Sequence, residues 1–238
     1  MNDSRSARLA VAFARETARS SAARLCAACV EVLAVTGAGI TIMGGDQAGP
    51  ICVSDPSVAA LEDLQYTLGQ GPCRDAFRTG VSVHAPCLDR GASARWPSFV
   101  SLARESGIGA VFAYPLIVAG AKVGVLTLYQ QREGELTSSQ HDDSIALAEV
   151  LTETLLSLQA DAPAGTLAPG IDDAVQYRAE IYQASGMVAI QLSIPAPEAL
   201  LRIRAYAFAN DETVAETAAH IVARQLRLPN DHQPETEV

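Results

Sequence analysis

The sequence has little of what an enzyme active site needs. Lys122 is the only lysine among 17 basic residues, and aromatic residues make up 5% of the 238-residue chain. The patterns of serine hydrolases, phosphate-binding loops and zinc proteases (G-x-S-x-G, G-x4-G-K-[ST] and H-E-x-x-H) are all absent. The four histidines share no metal-ligand spacing such as H-x3-H. No catalytic set emerges, so we expect that the protein is not an enzyme and has no metal site.

Long apolar runs are missing as well. The chain has no stretch of 18 apolar residues, the length at which a membrane span is considered. Charged residues between Arg5 and Arg19 interrupt the N-terminal stretch, and no secretion signal is visible. The five cysteines have no disulfide-framework spacing and fit a reducing compartment. We therefore expect a cytoplasmic protein without membrane contact.

Positive charge is scarce. The chain has 27 acidic against 17 basic residues, a formal net charge of −10. Residues 161–238 carry 5 basic and 11 acidic side chains, and residues 1–160 carry 12 and 16. Because phosphate contacts dominate nucleic-acid affinity, any nucleic-acid surface in the C-terminal part must be a local cluster of arginines.

Residues 1–160 alternate between helical and strand patterns. Turn signals at 44–47 and 119–122 each separate two short apolar runs, which predicts two hairpins. This order predicts an α+β domain with an antiparallel sheet and covering helices. Helices are predicted at 5–35, 58–68, 73–79, 96–106 and 139–159, and strands at 40–43, 51–53, 81–84, 111–116 and 123–129.

Four motifs in this part resemble the GAF domain. They are L-G-x-G-P-C at 68–73, R-W-P at 95–97, G-x-x-A-V-x-A-x-P-L at 107–116 and G-x-L-x-L-Y at 124–129. GAF domains are sensors of small molecules or cofactors, so the resemblance implies a ligand for residues 1–160. The sequence leaves the cofactor or ligand unknown. The candidates for lining its pocket are Cys73, Trp96, Phe99, Phe112 and Tyr114.

Each pocket candidate has a second interpretation. Trp96 and Phe99 at helical spacing, and Phe112 and Tyr114 on one face of a strand, are either core or pocket. Cys73 opens a short helix, where amide dipoles lower a thiol's pKa. A thiol sensor, or a thiol-dependent reductase of the GAF fold using Cys73 or Cys87, is therefore an alternative to a structural turn. His84, the one candidate haem ligand, is expected to end a strand at the surface, and Cys26 and Cys29 are expected to be small buried residues.

The C-terminal part contains three short helical patterns. An Ala-, Pro- and Gly-rich segment at 161–171 is predicted to be a linker, and 172–229 a three-helix domain followed by an acidic tail at 230–238. Pro195 or Pro197 fits the first turn of the second helix, and Asp211 or Thr213 can cap the third. Predicted core positions are Ile181, Ala184, Val188, Leu192, Ala199, Ile203, Tyr206, Ala207, Asn210, Val214, Ala218, Ile221 and Val222.

This segment resembles the ANTAR domain, an RNA-binding antitermination module of bacterial regulators. The match consists of Ala184, Gly186, Met187 and Val188, the helix pattern of Ala199, Ile203, Arg204 and Ala207, and Thr217-Ala218, where Thr217 departs from the usual aliphatic residue. The resemblance implies binding of structured RNA, a hairpin leader or a nascent transcript, and action on transcription elongation. GAF followed by ANTAR is a known bacterial arrangement, and the Arg and Ala bias is typical of GC-rich, including actinobacterial, genomes.

The candidate RNA-binding residues combine arginines with small and aromatic neighbours. Arg204 beside Tyr206 and Ala207 predicts a platform on which splayed loop nucleotides stack. From the residues alone, packing of Tyr206 into the core is an equal alternative. The full set is Arg178, Ala184, Gly186, Arg202, Arg204, Tyr206, Ala207 and Arg224.

Two further partner predictions follow. The stripes of helices 5–35 and 139–159 suit pairing between chains, and a homodimer would double the arginines presented to RNA. The acidic balance of residues 161–238 motivates an alternative, a small-molecule sensor whose C-terminal helices bind a protein.

Overall fold

The computed structural model describes residues 24–43, 49–160, 171–210 and 212–229. The predictions for residues 5–23, the turn at 44–47, linker residues 161–170, the Asp211 cap and the tail at 230–238 lie outside these ranges. The chain divides into two compact units, Met1–Val175 and Gln176–Val238. Among the described residues, every helix is too short or too polar to span a bilayer.

The first unit is an α+β fold built on one antiparallel sheet, which confirms the predicted fold class. The strand order is β2-β1-β5-β4-β3, and β5 pairs with β4 from Ala110↔Gln130 to Val118↔Ala121. The elements are α1 (Leu25–Leu33), β1 (Gly37–Ile42), β2 (Gly49–Val53), α2 (Pro56–Leu68), α3 (Pro72–Thr79), β3 (Val83–Ala85), α4 (Arg90–Arg95), α5 (Pro97–Glu105), β4 (Ala110–Val118), β5 (Ala121–Gln130) and α6 (Ser138–Ala160).

The sheet separates two hydrophobic cores because successive side chains of a strand point to opposite faces. Phe112 and Tyr114 of β4 share one face with Leu126 and Leu128 of β5, as predicted, and pack with α1 and α6. Val111, Ala113 and Val125 point to the other face, where residues of α2, α3 and α5 cover them. The second core contains the more polar interior of the unit.

Local signals fix where the covering helices begin. The Asp55 carboxylate accepts hydrogen bonds from the backbone N–H groups of Ser57 and Val58, and Pro56 follows in the first turn of α2. Asp89 caps α4 in the same way. This short helix was not predicted, since Arg90–Arg95 has no buried residue and hence no apolar periodicity.

Cys26 of α1 and Cys52 of β2 form a disulfide, with their Cα atoms 5.9 Å apart. Cys26 and Cys29 are both buried, as expected, but the expectation that the cysteines stay unpaired needs correction for Cys26 and Cys52. The two residues are separated by 26 positions. Their approach depends on how α1 packs on the edge of the sheet, which the spacing of cysteines does not reveal.

The second unit has a core of its own. Its helices are α7 (Ile171–Leu192), which spans the division between the units, α8 (Ala196–Ala209) and α9 (Val214–Val222). Most predicted core positions are confirmed, whereas Asn210 is exposed and Tyr206 is half-buried. The buried residues are Ile181, Ala184, Val188, Ala199, Ile203, Ala207, Val214, Ala218, Ile221 and Leu228.

Replacement of Thr213 by alanine is expected to destabilise the second unit by about 1 kcal/mol. The Thr213 hydroxyl accepts from the backbone N–H of Glu216, and the Glu216 carboxylate accepts from the Thr213 backbone N–H, so α9 starts with a complete capping box. Urea unfolding followed by circular dichroism measures the change. Thr213→Ser, which keeps the hydroxyl, is the matched control and should unfold like the wild type; an equal loss in both variants contradicts the capping role.

Candidate functional site

The predicted pocket residues of the first unit do not surround one cavity. Cys73, Trp96 and Phe99 belong to the core between the sheet and α2, α3 and α5. Phe112 and Tyr114 lie on the opposite face of the sheet, in the core with α1 and α6. All five are buried. The aromatic residues therefore serve two separate cores.

A buried polar cluster lies inside the second core. The Thr41 hydroxyl donates to Glu62 Oε2 at 2.6 Å, and the Tyr129 hydroxyl donates to Glu62 Oε1 at 2.6 Å. Gln65 Nε2 donates to the Tyr129 hydroxyl at 2.9 Å, and the backbone N–H of Cys73 donates to Gln65 Oε1 at 2.8 Å. We call these five residues, from β1, α2, α3 and β5, the Glu62 cluster.

Two glycines make room for the cluster. A Cβ atom on Gly39 of β1 would come within 2.6 Å of Glu62 Cγ, so a side chain there would displace the carboxyl group. Gly71, at the N-terminus of α3, has φ +126° and lies against the side-chain amide of Gln65. The second glycine of the L-G-x-G-P-C motif therefore leaves the space in the core that the Gln65 side chain fills.

The electrostatics of the cluster favour neutral groups. Burial raises the pKa of the Glu62 carboxyl, and the hydroxyls of Thr41, Tyr129 and Thr127 only partly offset this. Burial and the neighbouring Glu62 carboxyl raise the pKa of the Tyr129 phenol well above its usual range. Within the described residues the carboxyl is bonded by hydroxyls and not by cations, so no positive charge offsets the cost of burying its ionised form.

One polar atom of this core is left over. Thr127 of β5 faces the Glu62 carboxyl and the Cys73 thiol, yet its buried hydroxyl completes no hydrogen bond of good geometry. An unsatisfied buried hydroxyl costs free energy, which a ligand atom or a water can recover. Within the described part of the chain, no three His, Cys, Asp or Glu side chains come together as a metal site.

The thiols have the opposite character to that of a nucleophile. Cys73 is fully buried at the start of α3, and burial together with the nearby Glu62 carboxyl raises its pKa well above the usual value. A hydrogen bond with Glu133 raises the pKa of the Cys87 thiol. At Cys73, desolvation outweighs the lowering of the thiol pKa that the sequence suggested from the amide dipoles at the start of the helix. Because the thiolate is the reactive form of cysteine, a raised pKa makes the thiol less reactive.

Trp96 supports packing between helices. Its Nε1–H donates to Asp75 Oδ2 at 3.0 Å, and the Arg95 guanidinium lies 2.7 Å from the same oxygen and 4.6 Å from the centre of the Trp96 ring. Arg78 reaches the other oxygen of Asp75 at 3.1 Å. These contacts hold α3 against the junction of α4 and α5 and explain the R-W-P motif without a ligand.

A cleft of about 400 Å³ lies at the edge of the sheet, between β4, α6 and the segment before β3. Val81, Ile117 and Ile145 line it and are exposed. Tyr114 forms part of the wall, and its hydroxyl contacts His141 Nδ1 at 3.1 Å.

His84 lies in the middle of β3, with its ring 5.1 Å from that of His141. Burial, and to a smaller extent the charge of His141, lowers the pKa of His84. His84 is surface-exposed, as expected, although it does not end the strand.

The candidate RNA-binding residues fall into two groups. Ala184 and Ala207 are buried in the three-helix core, so their side chains contribute to packing and leave the surface to others. Gly186, Arg202, Arg204 and Tyr206 are half-buried, and Arg224 is exposed with φ +61°. The side chain of Arg178 lies outside the described ones. Four large apolar side chains of this unit that were not among the candidates are exposed: Tyr182, Ile190, Leu201 and Phe208.

Residues 18–155, more than half of the chain, match the GAF domain family. The solved structures that are similar to the chain include two GAF domains. The GAF domain from Acinetobacter phosphoenolpyruvate-protein phosphotransferase has 9% sequence identity, covers 69% of this chain and 98% of its own, and has a TM-score of 0.50. The GAF domain of a phosphoenolpyruvate-protein phosphotransferase from Coxiella burnetii has 14% identity, 67% and 98% coverage, and a TM-score of 0.49. Comparison with curated proteins finds no match.

Proposed function

This chain belongs to the GAF domain family, and we propose that, together with its ANTAR-like C-terminal part, it acts as a signal-responsive transcription antiterminator. The GAF domain is a small-molecule sensor. In the proposed mechanism it controls the C-terminal helices, which bind structured RNA so that a terminator does not form. The activity is one of binding, without a catalysed reaction.

The observation that carries the RNA-binding half is where the ANTAR-like pattern falls in the second unit. Ala184 and Val188 of α7 pack with Ala199, Ile203 and Ala207 of α8, and all five are nearly or fully buried. The residues of the ANTAR-like pattern therefore lie in the core of one separately packed unit, as expected if they belong to one folded module. The last residue of the ANTAR-like pattern, Ala218 of α9, is buried as well and follows the buried Thr217. The hydroxyl of Thr217 donates to Glu212, which explains how a threonine fills an aliphatic position.

The Glu62 cluster supports the sensing half. It offers hydroxyl, amide and carboxyl groups in an apolar surrounding, including the Thr127 hydroxyl that has no good partner. A small polar molecule that bound there would exchange hydrogen bonds where water does not compete. Such a guest would also push on β1, α2, α3 and β5 together, because each contributes a residue to the cluster.

The proposal predicts that the full-length protein retards an RNA of two adjacent hairpins in a gel-shift assay at low salt. Phosphate binding by few arginines makes the affinity salt-dependent, and removal of one such arginine reduces the slope of log K against log salt by about 1. Arg224→Gln should weaken binding and flatten this slope. Arg132→Gln, an exposed arginine of the first unit, is the control and should change neither. Absence of any shift with the dimeric protein at low salt would rule the proposal out.

A second candidate follows from the charge of the C-terminal part, where 5 basic residues face 11 acidic ones between 161 and 238. In this alternative the GAF domain senses a small molecule and α7, α8 and α9 contact a protein. Affinity purification from the host distinguishes the two: a stoichiometric protein partner without enriched transcripts favours the alternative.

A thiol-dependent reductase is a third candidate that the thiols do not favour. Cys73 is fully buried and Cys87 carries a raised pKa, so neither supplies a thiolate at neutral pH. We accordingly propose no redox chemistry at either residue.

A further inference from the structure

One helix of the second unit carries apolar side chains on the face opposite its core. Leu201, Ala205 and Phe208 of α8 are spaced at i, i+4 and i+7, so they form one stripe along the helix. Leu201 is 58% exposed and Phe208 is 63% exposed, and Ala205 is exposed as well. The buried residues of α8 point the other way, so packing within the unit does not account for this stripe.

Arginines flank the stripe on both sides. Arg202 follows Leu201, and Arg204 precedes Ala205, which puts the two guanidinium-bearing chains on opposite borders of the stripe at helical spacing. Both are half-buried. Glu198 is the one acid of α8 and lies 3.9 Å from Arg202, so the helix keeps a positive balance in an otherwise acidic part of the chain.

We propose that this face of α8 holds unpaired nucleotides of an RNA loop, with Phe208 as the residue on which a base stacks. The inference rests on the proposed RNA-binding function and deepens it. It replaces the platform of Tyr206 and Ala207 suggested by the sequence, because Ala207 is buried and Tyr206 packs against the core. The ring of Phe208 gives a base an apolar surface, and Arg202 and Arg204 lie where the flanking phosphates would pass.

The size and charge of the face favour a nucleic-acid loop over a second copy of the chain. From Leu201 to Phe208 the helix rises about 10 Å, at 1.5 Å per residue, which matches a few stacked bases. A stable protein interface covers about 800 Å² on each partner, more than three apolar side chains supply. Two arginines beside an exposed aromatic side chain complement phosphates and bases together.

The first test measures RNA affinity of the full-length protein with a fluorescein-labelled RNA of two adjacent hairpins whose loops are randomised. Phe208→Ala is expected to weaken binding by about 5- to 100-fold, the range for loss of one base–aromatic stack. Phe208→Trp, which keeps an aromatic ring, should restore it. Ile190→Ala is the matched control, because Ile190 of α7 is 84% exposed and apolar but has no part in the α8 face. Its affinity should equal that of the wild type.

The salt dependence separates stacking from phosphate contacts. Phe208→Ala should lower affinity at every salt concentration without changing the slope of log K against log salt, whereas Arg202→Gln should reduce that slope by about 1. A direct readout is photocrosslinking with 4-thiouridine in the loops, in which the crosslinked peptide should be the one that contains Phe208.

The outcomes distinguish this inference from the proposed function. If the wild type binds no RNA, the function itself is wrong. If the wild type binds and Phe208→Ala binds equally well, or if crosslinks fall only on other helices, the function stands and the α8 face is not its site. If Phe208→Ala instead converts a dimer to a monomer in analytical ultracentrifugation, the face joins two copies of the chain and the inference is overturned.

Discussion

Serine in place of Cys26 or Cys52 is expected to lower the free energy of unfolding of the oxidised protein by about 3 kcal/mol. The disulfide joins α1 to β2 across a sequence separation of 26 residues, and a crosslink over a loop of that length restricts the unfolded chain by about this amount. The loss is large because a domain of this size is stable by only about 5–15 kcal/mol. The first unit should therefore be less stable when reduced.

Urea unfolding with and without dithiothreitol measures this effect. Reduction should destabilise the wild type as much as Cys26→Ser does, and it should leave Cys26→Ser itself unchanged. Cys87→Ser is the control, because Cys87 is a free cysteine and is not fully buried. Burial raises the pKa of the Cys29 thiol to about 12, so exchange of this neighbouring thiol into the disulfide should be slow. A wild type whose unfolding ignores the reductant contradicts the prediction.

Glutamine in place of Glu62 is expected to remove a loss of stability that the wild type suffers as pH rises. Burial raises the folded-state pKa of the carboxyl above the ordinary value of 4.5. The unfolded chain then releases its proton first, so the stability from this group is fully present below pH 4.5 and is lost as pH rises towards the folded pKa. Within that window the free energy of unfolding falls by at most about 1.4 kcal/mol per pH unit.

Thermal and urea unfolding of both proteins between about pH 4 and pH 8 tests this prediction, because this range begins near the ordinary carboxyl pKa and extends above it. The advantage of Glu62→Gln over the wild type should grow with pH, because the amide stays neutral and still bonds with Thr41 and Tyr129. Glu153→Gln, at an exposed position of α6, should keep the pH profile of the wild type. Parallel profiles for Glu62→Gln and the wild type would mean that the buried carboxyl is already ionised in the folded protein.

Most of the fold could be predicted from the spacing of apolar residues along the sequence. Phe112 and Tyr114 of β4 are two residues apart, as are Leu126 and Leu128 of β5, so their shared face could be predicted. The apolar residues of α7 and α8 recur at helical spacing, so the core of the second unit could be predicted as well. Helix α4 was not predicted because none of its residues is fully buried. The pairing of Cys26 with Cys52 was missed because it depends on tertiary packing.

The candidate site was less accessible to sequence reasoning. Cys73 and Phe112 looked like neighbours in a pocket, yet the thickness of the sheet separates them, since a strand pattern does not say which helices cover which face. Glu62 was passed over because a charged residue in a helical pattern is usually solvated. A signal did exist: Gly39 and Thr41 alternate on the inward face of β1, where a purely apolar core would have larger residues. Phe208 was not among the predicted RNA-binding residues, because the sequence does not show which of two nearby aromatic side chains of one helix is the exposed one.

Four of the ten buried apolar residues in the core of the second unit are alanines: Ala184, Ala199, Ala207 and Ala218. Alanine allows helices to approach closely but withdraws little apolar surface from water, so such a core gives only modest stability. A ligand that binds only the folded helices adds RT ln(1 + [L]/Kd), about 2.7 kcal/mol at a hundred times Kd. For a unit this lightly stabilised, occupancy and folding are linked, and its melting temperature becomes a measure of whether its partner is bound.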